Sequence, residues 1–343
     1  MNKILQGDCL EKLKELPDAC LQMCVTSPPY FGLRDYGHDG QIGLEESPDE
    51  YVQKLVEVFR EVRRVLRDDG ILFLNLGDSY ASIKEGNTNG TQGNVKQKAR
   101  VNDDKRKRTI PLGLKPKDLI GIPWRVAFAL QQPYYTGAIK DERDRAHQAI
   151  MDLHNGIETS IDYPAPPSMF EPGWYLRQDV IWSKKNPMPE SVTDRCTKAH
   201  EYLFLLTKSA KYYFDNEAIK EPSKADWGTR DRTKGKYHNE GSGLQPHGGL
   251  EKSYAMANKR SVWTINTKPY KGAHFAVFPE ALVEPCVLAG SKQGDIVLDP
   301  FCGSGTTLAV AKSLGRQYLG VELNPEYIKL AEKRIAEKQK PLL

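Results

Sequence analysis

A strand–helix–strand pattern near the end of the sequence is the strongest constraint on the fold. Residues 295–299 predict a buried strand, and residues 306–314 predict a helix that Gly315 closes. Residues 317–322 predict a second strand, which ends in the acid Glu322. Strands joined through a helix lie parallel, and parallel sheets bind ligands at the carboxyl ends of their strands. The pattern therefore predicts an α/β fold with a ligand site at that edge.

The turn between this strand and helix is rich in glycine and reads Asp-Pro-Phe-Cys-Gly-Ser-Gly-Thr-Thr over residues 299–307. Glycine lets a ligand approach the backbone, and Glu322 can accept hydrogen bonds from two ribose hydroxyls. The third glycine of the dinucleotide motif and the lysine of a Walker A loop are both absent. The turn therefore favours an adenosine ligand without phosphates. S-adenosylmethionine is such a ligand, and its sulfonium charge tolerates nearby carboxylates.

A second strand–helix–strand pattern opens the chain, with strands expected near residues 3–7 and 21–25 and a helix over 9–16. Thr26-Ser27-Pro28-Pro29-Tyr30 follows the second strand. Its two prolines predict a rigid, extended loop whose carbonyls lack local donors. The Ser27 hydroxyl and a carbonyl of the proline region can accept from an amino group on a planar ligand, and Tyr30 offers a stacking face. A strand-ending turn with a packed tyrosine is the structural alternative.

Further acids follow predicted strands. Asp8 ends the first strand, and Asp78 follows a buried strand over residues 71–76. Asp is also a favoured N-cap, so Asp8 has a structural alternative that is compatible with ligand binding. A helix is expected to run to about Leu66, with a turn over residues 67–70. Two more strands are expected as an antiparallel pair at a sheet edge, and they span residues 174–184 and 200–208.

Composition excludes several classes of protein. The 343 residues carry a net charge of +4, and 39% of them are hydrophobic, which is typical of a globular protein. No apolar run approaches the roughly 18–20 residues that a membrane span needs, and the N-terminus lacks the apolar core of a signal peptide. A cytoplasmic protein is therefore expected. The six cysteines form no C-x-x-C pair, which favours reduced thiols over a metal site.

Two segments are basic and lack hydrophobic periodicity. Residues 82–112 predict a mobile loop, and residues 216–271 mix basic, aromatic and glycine residues, which suits contact with phosphates and bases. A solvated linker and a surface subdomain are the respective alternatives. Residues 137–172 form a polar insertion without a predicted role. The candidate phosphate-contacting residues are Lys105, Arg106, Lys107, Arg108, Arg230, Arg232, Lys234 and Lys236.

The D-P-F-x-G-x-G-T-T and T-S-P-P-Y tracts together resemble the amino-methylating DNA methyltransferases of the β permutation class. Three more tracts carry the resemblance, at residues 173–191, 200–209 and 274–279. The family places its catalytic loop first, a target-recognition region in the middle and its cofactor loop last, and this chain has that order. The two basic segments match no general family pattern.

The resemblance implies a Rossmann-like, S-adenosylmethionine-dependent methyltransferase fold that is circularly permuted. Its sheet would be mixed and seven-stranded, with helices on both faces and an inserted target-recognition region. Residues 1–215 would form the catalytic part, residues 216–271 the target-recognition region and residues 272–343 the cofactor-binding part of the same domain. The first strand would lie beside the strands of the C-terminal unit.

The resemblance also implies a function, the methylation of an exocyclic amine on a base flipped out of double-stranded DNA. Ser27 and the Pro28 carbonyl would accept the amine hydrogens, and Tyr30, after Pro29, would stack on the base. In the family, Ser before Pro-Pro-Tyr is associated mostly with cytosine N4, and Asp or Asn mostly with adenine N6. Cytosine N4 is therefore expected. Adenine N6, a structured RNA substrate and a non-catalytic nucleic-acid-binding protein are the alternatives.

The expected cofactor is S-adenosylmethionine, with no metal and no cysteine nucleophile. Double-stranded DNA and a cognate restriction endonuclease are the expected partners, and the protein is expected to be a monomer or homodimer without membrane association. The expected cofactor-binding residues are Asp8, Phe278, Asp299, Phe301, Gly303, Gly305, Thr306, Glu322 and Asn324.

Overall fold

The computed structural model describes residues 1–33, 40–81, 110, 113–135, 170–223, 256–267 and 278–338. Its helices are α1 (Cys9–Lys14), α2 (Pro48–Val65), α3 (Ile122–Gln131), α4 (Glu280–Gly290), α5 (Thr306–Ser313) and α6 (Pro325–Glu337). Its strands are β1 (Asn2–Gln6), β2 (Leu21–Thr26), β3 (Leu66–Leu76), β4 (Tyr134–Tyr135), β5 (Phe170–Glu171), β6 (Tyr175–Ser183), β7 (His200–Thr207), β8 (Glu221–Pro222), β9 (Met256–Ala257), β10 (Val262–Thr264), β11 (Ile296–Asp299) and β12 (Gln317–Glu322). No helix in these ranges is both long and apolar enough to cross a membrane.

The main sheet has eight strands in the order β1-β12-β11-β2-β3-β7-β6-β10. β7 runs antiparallel to its neighbours β3 and β6, and every other neighbouring pair is parallel. The sheet is therefore mixed, as expected, and β6 and β7 are the predicted antiparallel pair. β1 lies beside β12, which confirms that the first strand adjoins the C-terminal unit.

The expectation of seven strands is wrong, because β10 adds an eighth at the edge of the sheet beside β6. The β6–β7 pair is for the same reason not at the edge. β10 has three residues, of which Trp263 is buried while Val262 and Thr264 are exposed. Trp263 is the register partner of Trp182 on β6. A strand with one buried side chain is too short for its alternation to be recognised in the sequence.

β3 also differs from the expectation, because it begins at Leu66 and includes residues 67–70, where a turn was expected. Leu21 pairs with Leu66 and Met23 pairs with Ile71, so five residues of β3 lie opposite two residues of β2 and the strand is irregular there. Arg67 and Asp68 are exposed in this stretch. The polar residues that suggested a turn therefore lie in an irregular, solvent-facing start of the strand.

Helices cover both faces of the sheet, as expected. Ile71 and Phe73 of β3 pack into a core with residues of α4 and α5, whereas Leu72 and Leu74 pack into a core with residues of α1, α2 and α3. Successive side chains of a strand point to opposite faces, so the two cores lie on opposite sides of the sheet.

Candidate active site

The carboxyl ends of β1, β12, β11, β2 and β3 meet at one edge of the sheet, which we call the carboxyl edge. Each of these strands delivers a polar or loop-forming residue there. In sheet order these residues are Asp8, Glu322, Asp299, Ser27 and Gly77. Residues from the two ends of the sequence are thus brought to one edge, as parallel topology predicts.

A buried hydrogen bond joins the last residues of β2 and β11. Thr26 Oγ1 donates to Asp299 Oδ1 at 2.6 Å, and the Phe301 backbone N–H donates to the same oxygen at 3.1 Å. In the first turn of α5, Thr307 Oγ1 donates to the Val25 carbonyl at 3.1 Å. These bonds hold the proline loop that follows β2 beside the glycine loop that follows β11.

The Asp299 carboxyl group is fully buried, and its Oδ2 atom has no hydrogen-bond partner among the described residues. Burial raises the pKa of Asp299 to about 6, although the neighbouring hydroxyls of Thr26 and Thr307 and the Phe301 backbone N–H oppose the shift. The negative charge of Glu322 raises it further. A buried carboxylate with an unpartnered oxygen suits a neighbouring positive charge.

Two backbone donors orient the carboxylate of Glu322 at the end of β12. Gly303 N–H donates to Oε2 at 2.9 Å, and Asn324 N–H donates to Oε1 at 2.8 Å. Asn324 in turn caps α6, since its side chain accepts from the Glu326 backbone N–H at 2.9 Å. The glycine loop is therefore tied to the acid of the following strand.

The two glycines of the loop serve different purposes. At Gly303, whose φ is +48°, an added Cβ would meet nothing closer than the Phe301 carbonyl oxygen at 4.0 Å. At Gly305, whose φ is +76°, an added Cβ would lie 2.7 Å from Cβ of Ala331 on α6. Gly303 therefore leaves open space for a ligand, whereas Gly305 is required by a helix packed closely against it.

Other expected cofactor residues have structural partners as well. The Thr306 side chain is 1% exposed, and its hydroxyl accepts from Arg334 Nη1 at 2.6 Å. Asp8 caps α1 by accepting from the Glu11 backbone N–H at 3.0 Å. This cap is the structural alternative that the sequence left open. Contacts of these residues with a cofactor stay predictions.

The two expected aromatic residues lie at the margins of the cores. The Phe301 ring makes an edge contact with Phe59 of α2, with 6.5 Å between the ring centroids. Phe278 is partly buried against the core that contains α4, two residues before that helix begins. Residues 274–277, the first four of the tract at 274–279, lie outside the described residues.

The proline loop is held from the side by α2. Tyr51 of that helix is fully buried, and its hydroxyl donates to the Pro29 carbonyl at 2.7 Å. Among the described residues, no side chain or backbone N–H donates in this way to the Pro28 carbonyl. Pro28 is buried, while Ser27 and Tyr30 are partly exposed. Tyr51 was not identified from the sequence, because it occupies an ordinary buried position of an amphipathic helix.

Tyr30 has a defined position in the structure. Its hydroxyl donates to Glu201 Oε2 at 2.6 Å and has Asn75 Oδ1 as a second, more distant acceptor at 3.3 Å. Its ring lies against Gly77, where an added Cβ would be 2.5 Å from Tyr30 Cε2. Burial, together with the Glu201 charge, raises the pKa of Tyr30 well above its ordinary value. The phenol therefore stays protonated and acts as a donor to Glu201.

Asp78, the acid after β3, has a structural role. Its Oδ1 atom accepts from the backbone N–H groups of Gly121 and Ile122, both at 3.0 Å, at the beginning of α3. The cap residue of this helix is Gly121, which has no side chain to accept a hydrogen bond. Asp78 therefore supplies the acceptor that the free N–H groups of this helix end require.

The cysteines near the site are poor nucleophiles. Burial raises the pKa of Cys9 to about 12, and burial also raises the pKa of Cys24 and Cys302 well above the ordinary value. These thiols stay protonated at neutral pH, and the thiolate is the reactive form.

The expected DNA-contacting residues lie outside the described residues. They are Lys105, Arg106, Lys107, Arg108, Arg230, Arg232, Lys234 and Lys236.

The sequence is similar to a known protein family and to several of its members. A family model described as DNA methylase, of N6/N4 methyltransferases, matches residues 21–333. The Type II methyltransferase M.Cfr9I of Citrobacter freundii is 43% identical over 332 residues, which cover 97% of this chain and 87% of that protein. The Type II methyltransferase M.SmaI of Serratia marcescens is 43% identical over 337 residues, which cover 98% of this chain and 91% of that protein.

Two solved structures have a similar fold. The PvuII DNA methyltransferase (cytosine-N4-specific) superposes with a TM-score of 0.57 at 17% identity, over 100% of this chain and 88% of that one. TTHA0409 from Thermus thermophilus, complexed with S-adenosyl-L-methionine, has a TM-score of 0.52 at 22% identity, over 100% and 98% of the two chains. Since the family model spans most of the sequence and the relatives share 43% of its residues, the chain belongs to the N6/N4 DNA methylase family.

Proposed function

We propose that the protein is a sequence-specific DNA methyltransferase that methylates the exocyclic N4 amine of a cytosine flipped out of the duplex. The observation that carries this proposal is the Thr26–Asp299 hydrogen bond, which holds the Ser27–Tyr30 loop beside the glycine loop. An acceptor-rich loop for an amine is thus adjacent to a loop suited to an adenosine ligand. Relatives that are 43% identical are Type II methyltransferases, which supports the proposal.

The residues of the carboxyl edge fit S-adenosylmethionine. Glu322 is oriented to accept from ribose hydroxyls, and the space over Gly303 admits a ligand. The unpartnered oxygen of Asp299 suits a positively charged ligand. When bound, S-adenosylmethionine supplies an electrophilic methyl group on a sulfonium. The similar fold of TTHA0409, whose structure contains this cofactor, also supports the assignment.

The proline loop has to activate a poor nucleophile. The lone pair of an exocyclic amine is delocalised into the base ring, so the amine attacks weakly. Ser27 Oγ and the Pro28 carbonyl each accept a hydrogen bond from the amine. These two bonds turn the nitrogen toward tetrahedral geometry and aim its lone pair at the methyl group. The Tyr51 hydroxyl already occupies the Pro29 carbonyl, which favours Pro28 as the second acceptor. Positioning and fixed dipoles then lower the barrier without a covalent enzyme intermediate.

Base flipping exposes the amine to this loop. Extracting a base from the stack costs a few kcal/mol, and stacking on the Tyr30 ring offsets part of that free energy. Ser27 supports cytosine, since the family resemblance associates serine at this position mostly with cytosine N4. The PvuII enzyme of similar fold is cytosine-N4-specific. Adenine N6 remains the alternative base.

A nucleoside analysis tests the reaction and the base. Duplex DNA is incubated with the protein and methyl-labelled S-adenosylmethionine, then digested to nucleosides that are separated and counted. We expect label in N4-methyldeoxycytidine. Label in N6-methyldeoxyadenosine would refute the choice of base, and label on structured RNA but on no DNA would refute the DNA substrate.

Two variants separate the catalytic loop from the cofactor site. Pro28→Ala and Tyr30→Ala should reduce turnover far more than affinity for S-adenosylmethionine, because both residues act on the base. Equal losses in turnover and cofactor affinity would contradict their assignment to base positioning.

Recognition of the DNA sequence is assigned to residues 216–271, and residues 105–108 are assigned to phosphate contacts. Neutralising Lys105–Arg108 should weaken DNA binding in a salt-dependent manner on any sequence. Methylation-sensitive sequencing of DNA from expressing cells would identify the methylated motif. A partner restriction endonuclease, and a monomeric or homodimeric state, stay predictions.

A further inference from the structure

We infer that Glu201 of β7 is a positioning residue that fixes the Tyr30 ring, and with it the surface on which the flipped base stacks. This inference rests on the proposed function, because it concerns the same pocket. Its evidence is a set of contacts among four strands that meet beside the proline loop.

The Tyr30 ring is fixed in two directions by adjacent strands. Leu76 of β3 is the register partner of Tyr202 of β7, which places Gly77 close to Glu201 at the carboxyl edge. Gly77 receives the ring, since any Cβ there would clash with it at 2.5 Å. Glu201 receives the hydroxyl at 2.6 Å. A ring that has both a backing surface and an anchored hydroxyl has little freedom to rotate or tilt.

Glu201 is itself held in place by several partners. Asn75 Nδ2 donates to Glu201 Oε2 at 3.2 Å and to the Tyr202 carbonyl at 3.1 Å. On the opposite side, Lys184, which follows β6, forms an ion pair with Glu201 Oε1. The Lys184 ammonium also lies 4.4 Å from the centre of the Trp182 ring. The carboxylate is thus oriented by a donor on each side.

The charge of this network favours positioning over simple packing. The side chains of Lys184 and Glu201 are 18% and 13% exposed, so both charges are largely removed from water. A buried hydroxyl needs only a neutral acceptor, whereas a buried ion pair must recover the free energy of desolvation of two charges. A charged acceptor gives the stronger and more directional bond, which suits a ring that must keep its angle while a base stacks on it.

Glu201 is separated from the cofactor residues by intervening strands, since three strand spacings, or about 14 Å, lie between β7 and β11, which carries Asp299. Four strand spacings separate β7 from β12, or about 19 Å. Loss of the Tyr30–Glu201 bond should therefore lower the rate of methyl transfer and leave affinity for S-adenosylmethionine unchanged.

The test is a double-mutant cycle in the full-length protein on duplex DNA that the wild type methylates. Tyr30→Phe and Glu201→Leu should each lower the single-turnover rate roughly 10- to 100-fold, as expected for a lost hydrogen bond to a charged group. The Tyr30–Glu201 bond is lost in both single variants, so the double variant should be little slower than the slower of the two. Tyr30→Phe also removes the weaker contact of the hydroxyl with Asn75 Oδ1 at 3.3 Å, and Glu201→Leu also removes the partner of Lys184. Glu201→Gln should recover only part of the rate, since it keeps an oxygen acceptor for the Tyr30 hydroxyl but loses the charge and the ion pair with Lys184.

The control is Tyr212→Phe, which removes a tyrosine hydroxyl that accepts from Arg177 Nε at 3.3 Å, away from this network. Its rate should match the wild type. Multiplicative rate losses in the double variant would overturn the inference, as would a wild-type rate in both Glu201→Leu and Glu201→Gln. An inactive wild type would instead refute the proposed function, so the two failures are distinguishable. If the wild type methylates adenine, the same cycle is measured on adenine.

Discussion

Replacing Asp299 by Asn should remove a loss of stability that the wild type suffers as pH rises, while it weakens cofactor binding. The carboxyl group is fully buried at the end of β11, and one of its oxygens has no partner among the described residues. Burial raises its pKa to about 6 from an ordinary value of 3.8. The native state therefore holds this proton more tightly than the unfolded state does. Stability contributed by the protonated form is lost as pH rises between these two values.

The size of the effect follows from the two pKa values. They differ by about 2, which corresponds to about 3 kcal/mol of unfolding free energy. Below about pH 4 both states are protonated and Asp299 imposes no such penalty, whereas above about pH 6 the full penalty applies. Asn is neutral at every pH. The unfolding free energy of the variant relative to the wild type should therefore rise by up to about 3 kcal/mol as the pH increases from about 4 to above about 6.

Urea unfolding at about pH 4 and about pH 8 measures this difference, with the wild type and Asp299→Asn compared at each pH. Asp8→Asn is the control, because Asn is as good an N-cap for α1 as Asp and the change should alter stability little. A gap between Asp299→Asn and the wild type that is the same at both pH values would refute the reasoning.

Ionisation of Asp299 should have the opposite effect on cofactor binding, which it should strengthen. A positively charged ligand favours the ionised carboxylate, so wild-type affinity for S-adenosylmethionine should fall as pH drops through about 6. Calorimetry on Asp299→Asn should give weaker binding at about pH 8 and little dependence on pH. Unchanged affinity in the variant would argue against a role of this charge in binding.

Three further changes test the geometry of the site. Gly77→Ala should displace the Tyr30 ring, which lowers stability by about 1–3 kcal/mol and slows methyl transfer while cofactor affinity is retained. Denaturant unfolding measures the loss of stability, and single-turnover assays measure the rate. Tyr51→Phe should release the Pro29 carbonyl, costing about 1 kcal/mol and reducing turnover, and a wild-type rate would contradict this. Glu322→Ala should weaken cofactor binding at least about ten-fold by calorimetry; unchanged affinity would mean that this residue does not bind the ribose.

Local chemistry allowed most of the fold to be predicted from the sequence. The glycine turn before α5, the acid at the end of β12 and the prolines after β2 are signals that lie within a few residues of the structure they specify. Trp263 is the counter-example, because β10 depends on a single buried ring packed beside β6 rather than on any repeating pattern.

The contacts that organise the site could not be predicted in this way. The bond between Thr26 and Asp299 joins residues 273 positions apart, and the bond between Tyr30 and Glu201 joins residues 171 positions apart. Thr26 looked like the end of a strand, and Glu201 like one polar residue before an apolar run. Their roles depend on the order of the strands in the sheet, which no local pattern specifies.

That strand order has a consequence for how the protein is made. β1 and β2 are consecutive in the chain, yet β12 and β11 lie between them in the sheet. During synthesis, which proceeds from the N-terminus, the first strand has no neighbour in the sheet until the last strands have left the ribosome. A chain that ended before β11 would lack two interior strands rather than an edge. Assembly of the catalytic pocket is therefore a late event, completed only when the final residues of the sheet are available to fold.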